Sequence, residues 1–205
     1  KYNKSIHYLE DALDIYIKYD SRQEIAAVLH NLGIALHHSL KQEQALDCFN
    51  RSLVIKMEFE DQRVLASGYN ETANVYYAIG DYSLAIENAK RSLGYYKSLG
   101  NMQYGAFCMI LLADAYTQVG MFSESVKRME PAQEILEEFN NLFLLGKVDV
   151  LYGIKSFNEG NYEKSVSYYE EGIDKMQLDE SRKWVLHYSF EIIHVLFYQK
   201  EYEKA

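Results

Sequence analysis

A period of forty residues runs through the whole chain and constrains its fold more than any other feature. A small residue recurs at each fortieth position, at Ser5, Ala45, Ala85, Ser125, Ser165 and Ala205. A repeat of about twenty to fifty residues is typical of proteins that stack copies of one supersecondary unit. We therefore expect about five repeats, with whole units near 21–60, 61–100, 101–140 and 141–180 and partial units near 1–20 and 181–205.

Each unit is predicted to contain two helices. Apolar residues fall at three- and four-residue steps, as Leu29, Leu32 and Leu36 do, and this spacing is typical of one face of an α-helix. Three units have a mid-unit glycine that we expect to end the first helix in a left-handed conformation: Gly80, Gly120 and Gly160. Ser21 and Glu24 have the spacing of a capping box. The pattern predicts an all-α chain of ten helices of about 18 residues.

These residues resemble the tetratricopeptide repeat. The resemblance rests on a small residue within each first helix, Gly33, Ala73, Ala113 and Gly153, and on an aromatic residue that starts second helices, at Tyr2, Tyr82, Phe122, Tyr162 and Tyr202. The forty-residue length is similar to the extended variety in Pins-type adaptors, in the bacterial Rap and PlcR groups of peptide-sensing regulators, and in sensor segments of signalling proteins. The resemblance implies an α-α superhelix, or solenoid, in which the first helices line a concave groove.

Composition and charge disfavour several classes of partner. The chain has 30 acidic and 21 basic residues and a formal charge of −9, which repels nucleic acid and anionic membrane surfaces. Its apolar runs are shorter than the roughly 18 residues of a membrane-spanning helix. Cys48 and Cys108 form no CxxC motif, so neither a disulfide scaffold nor a zinc site is indicated. We expect a cytoplasmic domain without a cofactor.

The resemblance also implies which side chains face the groove. The candidate peptide-binding residues are His30, His37, Asn70, Asn74, Tyr77, Asp114, Gln118, Phe157, Phe190 and His194, and the same stripe includes Ile110 and Val150. Asn70 and Asn74 lie one helical turn apart, and their amides can both donate to and accept from a peptide backbone. The alternative is that both are simply solvated. Phe157 and Phe190 could form apolar pockets, although aromatic residues at helical spacing are more often core.

Five of the six histidines fall on the implied groove positions, which gives three hypotheses: metal binding, pH sensing, or hydrogen bonding to a ligand. His30 and His37 are seven residues apart, and this spacing places them about 10 Å apart along a helix. A shared metal ion is therefore disfavoured, because its ligands must converge on one point.

The motifs that carry catalysis are missing from the sequence, which contains no GxSxG, HExxH or phosphate-binding glycine loop. We therefore expect no enzyme activity, but a scaffold that binds a protein or peptide as the sensing or interaction domain of a larger regulatory protein. The chain starts and stops at the same phase of the repeat, from which we expect an internal fragment of a longer protein. The alternative function is self-association, as a dimerisation module of a signalling enzyme or transcription regulator.

Overall fold

The computed structural model describes the backbone of residues 2–178 and 182–202, and the side chains of residues 2–177, 189 and 191–200. This part of the chain contains ten α-helices and no strand, which confirms the all-α prediction. The helices are α1 (Tyr2–Lys18), α2 (Arg22–His38), α3 (Gln42–Glu58), α4 (Gln62–Ala78), α5 (Tyr82–Ser98), α6 (Met102–Gln118), α7 (Phe122–Glu138), α8 (Leu142–Asn158), α9 (Tyr162–Leu178) and α10 (Arg182–Tyr202).

Helices that follow one another in sequence pack against one another. The chain divides into two compact units, residues 1–108 and 109–205, so the division falls within α6. In the first unit, α1 packs on α2, α2 on α3, α3 on α4 and α4 on α5. In the second, α7 packs on α8, α8 on α9 and α9 on α10. Each unit is therefore a stack of antiparallel helix hairpins.

The links between the helices from α1 to α9 repeat one conformation. The predicted glycines Gly80, Gly120 and Gly160 are left-handed, with φ of 83°, 74° and 78°. The residue after each one donates its backbone N–H back across the turn, as Asp81 does to the carbonyl of Tyr76 at 3.0 Å. This is the Schellman ending of a helix. The same left-handed conformation occurs without glycine at Asp20, Leu40, Glu60 and Asn140.

Side chains cap several helix starts, but the predicted capping box is absent. Asp81 Oδ1 accepts from the Leu84 N–H at 3.0 Å, and Asn141 Oδ1 accepts from the Leu144 N–H at 3.1 Å. Ser21 makes no side-chain cap hydrogen bond. The prediction was wrong because the Ser21 N–H, which a capping box assigns to Glu24, already donates to the Tyr16 carbonyl at 3.1 Å.

The small residues of the repeat lie where two helices touch. Ala45, Ala85, Ser125 and Ser165 are all buried, whereas Ser5 of α1 is exposed. Ser165 Oγ donates to the Gly153 carbonyl across the hairpin at 2.9 Å. A Cβ on Gly33 would lie 2.7 Å from the ring of Phe49, which is 1% exposed and has little room to move. A larger side chain at these points would overpack the hairpin.

A second close approach occurs near the other end of three hairpins, α2–α3, α4–α5 and α8–α9. Ser52 Oγ donates to the Ala26 carbonyl and Ser92 Oγ to the Ala66 carbonyl, both at 2.7 Å. The matching residues of α8 and α9 are Gly146 and Gly172. A Cβ on either glycine would lie within 2.7 Å of the other's carbonyl oxygen. Two kinds of contact thus fill the same site, a hydroxyl–carbonyl hydrogen bond or direct contact of two backbones.

Asp149 departs from the repeat, since Leu29, Tyr69 and Met109 hold the matching positions. It is buried, and Lys175 Nζ donates to its Oδ2 at 2.7 Å. Burial raises the pKa of Asp149, against the opposing effect of the hydrogen bond from Lys175. An ion pair therefore replaces apolar packing in this hairpin.

Candidate functional site

The candidate residues of the first compact unit, residues 1–108, lie on α2 and α4. We call the surface that they form the first-helix face: His30 and His37 of α2 with Asn70, Asn74 and Tyr77 of α4. The two helices are adjacent, since Ser67 Oγ of α4 lies 3.4 Å from His30 Nε2. Helices of successive hairpins thus present one shared surface.

The amides of Asn70 and Asn74 differ in their surroundings. Asn70 Oδ1 accepts from the Cys108 thiol at 3.4 Å, and its Nδ2 donates to Glu71 Oε1 at 3.3 Å. Asn74 is half-buried one turn further along α4. Asn70 therefore binds neighbouring side chains of its own unit, which leaves Asn74 as the better candidate for a ligand contact.

His37 and Tyr77 lie at the ends of their helices and contact the helix that follows. His37 Nδ1 is 2.7 Å from Gln42 Oε1, and the Tyr77 ring lies edge-on to Tyr82, with 5.5 Å between ring centroids. Both side chains are half-buried. These contacts fix the two rings at the rim of the first-helix face.

His30 is half-buried, like the other candidates on α2 and α4. Its ring meets the Phe49 ring at an angle of 64°, with 5.6 Å between centroids, and its Nδ1 atom is buried without a hydrogen-bond partner among the described residues. Burial, assisted by the charge of Lys56, lowers the pKa of His30 from 6.5 to about 4. His30 is therefore neutral at neutral pH and titrates well below it.

A cavity of about 350 Å³ adjoins His30. We call it the Lys56 cavity, and it is lined by Gln23, Ala26, Ala27, His30, Asn31, Lys56, Phe59, Asp61 and Val64. Lys56 is only 5% exposed. Burial lowers the pKa of its ammonium group from 10.5 to about 8, although the charge of Asp61 acts in the opposite direction. An ammonium group and an imidazole ring with one buried, unpaired nitrogen thus lie beside one cavity.

In the second unit, the polar candidates on α6 are placed differently. Asp114 is buried, and Lys147 Nζ of α8 donates to its Oδ2 at 3.4 Å. Gln118 is exposed near the end of α6. Ile110 and Val150 are each 2% exposed, so placing them in the groove stripe was wrong, because both are packed as core.

The aromatic candidates form a cluster on α8, α9 and α10. The Phe157 ring lies 5.6 Å from Tyr162, 6.0 Å from His194 and 5.5 Å from Tyr198 between centroids. His194 and Tyr198 are exposed, while Phe157 is half-buried. We call these four residues the aromatic cluster. The side chain of Phe190 lies outside the described residues.

Two further features concern metal ions and membranes. Within the described residues, no three His, Cys, Asp or Glu side chains come close enough together to hold a metal ion. Nor is any helix in this part of the chain both long and apolar enough to cross a bilayer.

Sequence reasoning missed two lysines at these sites. Lys56 lies on α3, the second helix of its forty-residue repeat. The matching positions of the three later repeats hold Tyr96, Leu136 and Met176. Alignment of the repeats with one another contains this signal, since a lysine interrupts a column of large buried residues. Lys147 pairs with a carboxylate 33 residues earlier, and no periodic pattern indicates that pair.

The fold defines a class of protein. Residues 1–58 match the family model of the tetratricopeptide repeat. The structure is similar to a signal-transduction ATPase of Pyrococcus horikoshii with a tetratricopeptide repeat sensor, at a TM-score of 0.75 and 16% identity over 91% of this chain and 28% of that one. Residues 1–58 thus match the family that the sequence predicted, and the described helices have the fold of tetratricopeptide repeat structures.

Two further similar structures are of a quorum sensor and of a Rap protein. The quorum sensor NprR of B. thuringiensis in its apo form has a TM-score of 0.75 and 22% identity, over 98% of this chain and 57% of that one. A Rap protein in complex with Competence and Sporulation Factor has a TM-score of 0.68 and 16% identity, over 98% and 60%. At this identity the likeness establishes the fold alone.

Curated relatives extend the comparison. Response regulator aspartate phosphatase J of Bacillus subtilis is 24% identical over 159 residues, which is 72% of this chain and 40% of the relative. Protein KINESIN LIGHT CHAIN-RELATED 3 of Arabidopsis thaliana is 26% identical over 144 residues, which is 67% of this chain and 22% of the relative. The chain thus spans from about a fifth to two fifths of the length of these relatives.

Proposed function

We propose that this chain binds a protein or peptide on the surface formed by its first helices, as the sensing or interaction domain of a larger regulatory protein. The observation that carries the proposal is the first-helix face of α2 and α4, where half-buried polar and aromatic side chains lie on adjacent helices. Such a face offers hydrogen bonds to a peptide backbone and fixed rings for its side chains. Binding, not catalysis, is the proposed activity.

Two further points support this function. The aromatic cluster of the second unit provides exposed rings of the kind that anchor peptide side chains. The similar Rap structure holds Competence and Sporulation Factor, and NprR is described as a quorum sensor. We also propose a cytoplasmic location, which is consistent with the buried and unbridged Cys48 and Cys108.

The experiment is a screen of the purified chain against a random dodecapeptide library, followed by fluorescence polarisation with the peptides selected. Asn74→Ala should weaken binding about fivefold, because it removes hydrogen bonds worth about 1 kcal/mol. Asn50→Ala is the control, since Asn50 is an exposed asparagine of the second helix α3. Equal affinities for both variants and the wild type would place the peptide elsewhere.

Self-association remains a second candidate function because α10 carries exposed apolar side chains. Ile193 and Phe197 are each 62% exposed, and Leu196 is 48% exposed. A patch of this kind is typical of contacts between chains. Sedimentation equilibrium over a hundredfold concentration range separates the two functions. A tight dimer that selects no peptide from the library would favour self-association and would contradict peptide binding.

A further inference from the structure

The Lys56 cavity contains a charge that the repeat does not require. The matching position of the three later repeats holds a buried side chain, Tyr96, Leu136 or Met176. An apolar or aromatic side chain therefore satisfies the packing there. Placing an ammonium group at such a position opposes folding unless it gains a partner, because water solvates the charge better than the protein interior does. A group that opposes folding in this way is a candidate for function.

No carboxylate of the described residues pairs with Lys56 within 4.0 Å. Asp61, the acidic residue that lines the cavity, is otherwise engaged: its Oδ1 accepts from the Arg63 N–H at 2.9 Å and lies 3.7 Å from the Arg63 guanidinium. Asp61 thus caps α4 and has a basic partner of its own. The positive charge of Lys56 is left largely uncompensated.

His30, which also lines the cavity, carries a second unsatisfied group. The Nδ1 atom of His30 is buried without a partner, while Nε2 of the same ring lies 3.4 Å from Ser67 Oγ. If Nε2 accepts from the Ser67 hydroxyl, the neutral ring carries its proton on Nδ1 and becomes a donor. Because Nδ1 is buried, this N–H contributes a dipole to the cavity wall and makes no direct contact with a ligand.

We propose that the Lys56 cavity binds a carboxylate group, supplied by an acidic side chain of the peptide that occupies the first-helix face. The proposal rests on the proposed function for the source of the carboxylate. Lys56 provides the charge, the neutral His30 forms part of the wall, and Ala26, Ala27, Phe59 and Val64 surround the methylene groups of the side chain. Charge-assisted hydrogen bonds are the strongest that a single side chain can make here.

The cavity favours a carboxylate over a phosphate. It contains one ammonium group and one neutral imidazole, and the carboxylate of Asp61 lines the same space. Lys56 would attract a phosphate dianion, and Asp61 would repel it, each about twice as strongly as a carboxylate, so charge does not favour the phosphate. A phosphate also brings three strong acceptor oxygens, for which the cavity offers one ammonium group. The cavity volume of about 350 Å³ lies at the small end of ligand sites, which suits a single side chain.

A direct test uses the full chain with ¹³C-labelled lysine side chains and acetate as the probe. Acetate, compared with chloride at equal ionic strength, should shift the Lys56 ε-methylene resonance saturably and raise the Lys56 pKa by roughly one unit. The exposed Lys97 should not respond. A Lys56 resonance that responds equally to acetate and chloride would overturn the proposal. A stronger response to inorganic phosphate than to acetate would overturn the choice of carboxylate.

A second test uses the selected dodecapeptides, each also synthesised with its Asp and Glu replaced by Asn and Gln. The wild type should bind the acidic form at least tenfold more tightly. Lys56→Met should abolish this preference and still fold, because Met176 fills the matching position. Lys97→Met changes the net charge equally and should keep the preference. Peptide binding without any acid preference would overturn the cavity proposal and leave the proposed function standing. An acetate response without any peptide binding would support the cavity and contradict the proposed function.

Discussion

Lys56 makes the stability of the chain depend on pH in an unusual direction. Its pKa is about 8 in the folded chain, against an ordinary value of 10.5. Between these values the unfolded chain binds a proton that the folded chain does not, so the Lys56 contribution to the free energy of unfolding rises with pH. Below pH 8 the full penalty, on the order of 3 kcal/mol, is present.

We expect Lys56→Met to raise the free energy of unfolding most at neutral pH, with the gain shrinking as the pH rises toward about 10. Urea unfolding of variant and wild type across this range measures the difference, in which other titrating groups cancel. Lys97→Met serves as the control and should show no such trend. A gain for Lys56→Met that is the same at pH 7 and pH 10 would contradict the assigned burial of the charge.

The residues with a left-handed backbone show how far the type of a single residue predicts its backbone conformation. Glycine predicts the conformation at Gly80, Gly120 and Gly160 because it alone adopts it without steric penalty. Leu40 adopts it with φ of 61°, although a leucine there is disfavoured by about 1 to 2 kcal/mol. The repeated geometry of the links imposes the conformation, and the residue type at 40 alone does not predict it.

At the scale of the element, the hairpins differ in how closely their helices approach. In α4 and α5 a serine bridges the gap with a hydrogen bond to a carbonyl, whereas in α8 and α9 the backbones of Gly146 and Gly172 leave no space for a side chain. The sequence has a small residue at this point in each full repeat: Ser52, Ser92, Ala132 and Gly172. The sequence does not predict whether a hydrogen bond or a direct backbone contact forms there. The outcome depends on the distance between the two helices, which is set by the packing of the whole hairpin.

Gly172→Ala should therefore destabilise the chain more than Ser92→Ala. The first places a methyl group 2.7 Å from a backbone oxygen that has no alternative position, and overpacking of this kind costs about 1 to 3 kcal/mol. The second removes a hydrogen bond to the Ala66 carbonyl, worth about 1 kcal/mol, and a weaker contact with the Cys108 sulfur. Urea unfolding of the two variants compares them. A smaller effect for Gly172→Ala would mean that α8 and α9 separate easily.

The contacts of the candidate site that follow from the position of each residue within the repeat could be predicted from the sequence. The proximity of Phe157 and His194 follows from helices of constant length, and the structure brings these two rings together at 6.0 Å. The engagement of Asn70 with Cys108 and the pair of Asp114 with Lys147 depend on rotamers and on neighbours in other helices. A periodic pattern contains neither kind of information.

At the scale of the whole molecule, each hairpin depends mainly on its neighbours. Stability in stacked repeats is close to a sum of contributions from each repeat and each nearest interface. Gly33→Ala should therefore loosen α2, α3 and the helices adjoining them, because its methyl group meets the buried ring of Phe49. Hydrogen exchange measured by mass spectrometry should show lost protection there and unchanged protection in α8 and α9.

Gly94→Ala is the matched control for this experiment. Gly94 lies within α5, and a Cβ there would meet no atom within 4 Å. The alanine should preserve or increase protection, because it favours the helix by about 1 kcal/mol. Uniform loss of protection along the whole chain in Gly33→Ala would show instead that the repeats unfold as one cooperative block.

The constant spacing of the elements has a consequence for how such a chain can change length. Each helix from α1 to α9 has 17 residues, and three residues follow it before the next helix begins. Excision or duplication of any forty-residue stretch, wherever it starts, therefore rejoins the polypeptide in phase. Unequal crossing-over between copies in the gene would yield products that gain or lose a complete hairpin, with every junction already compatible.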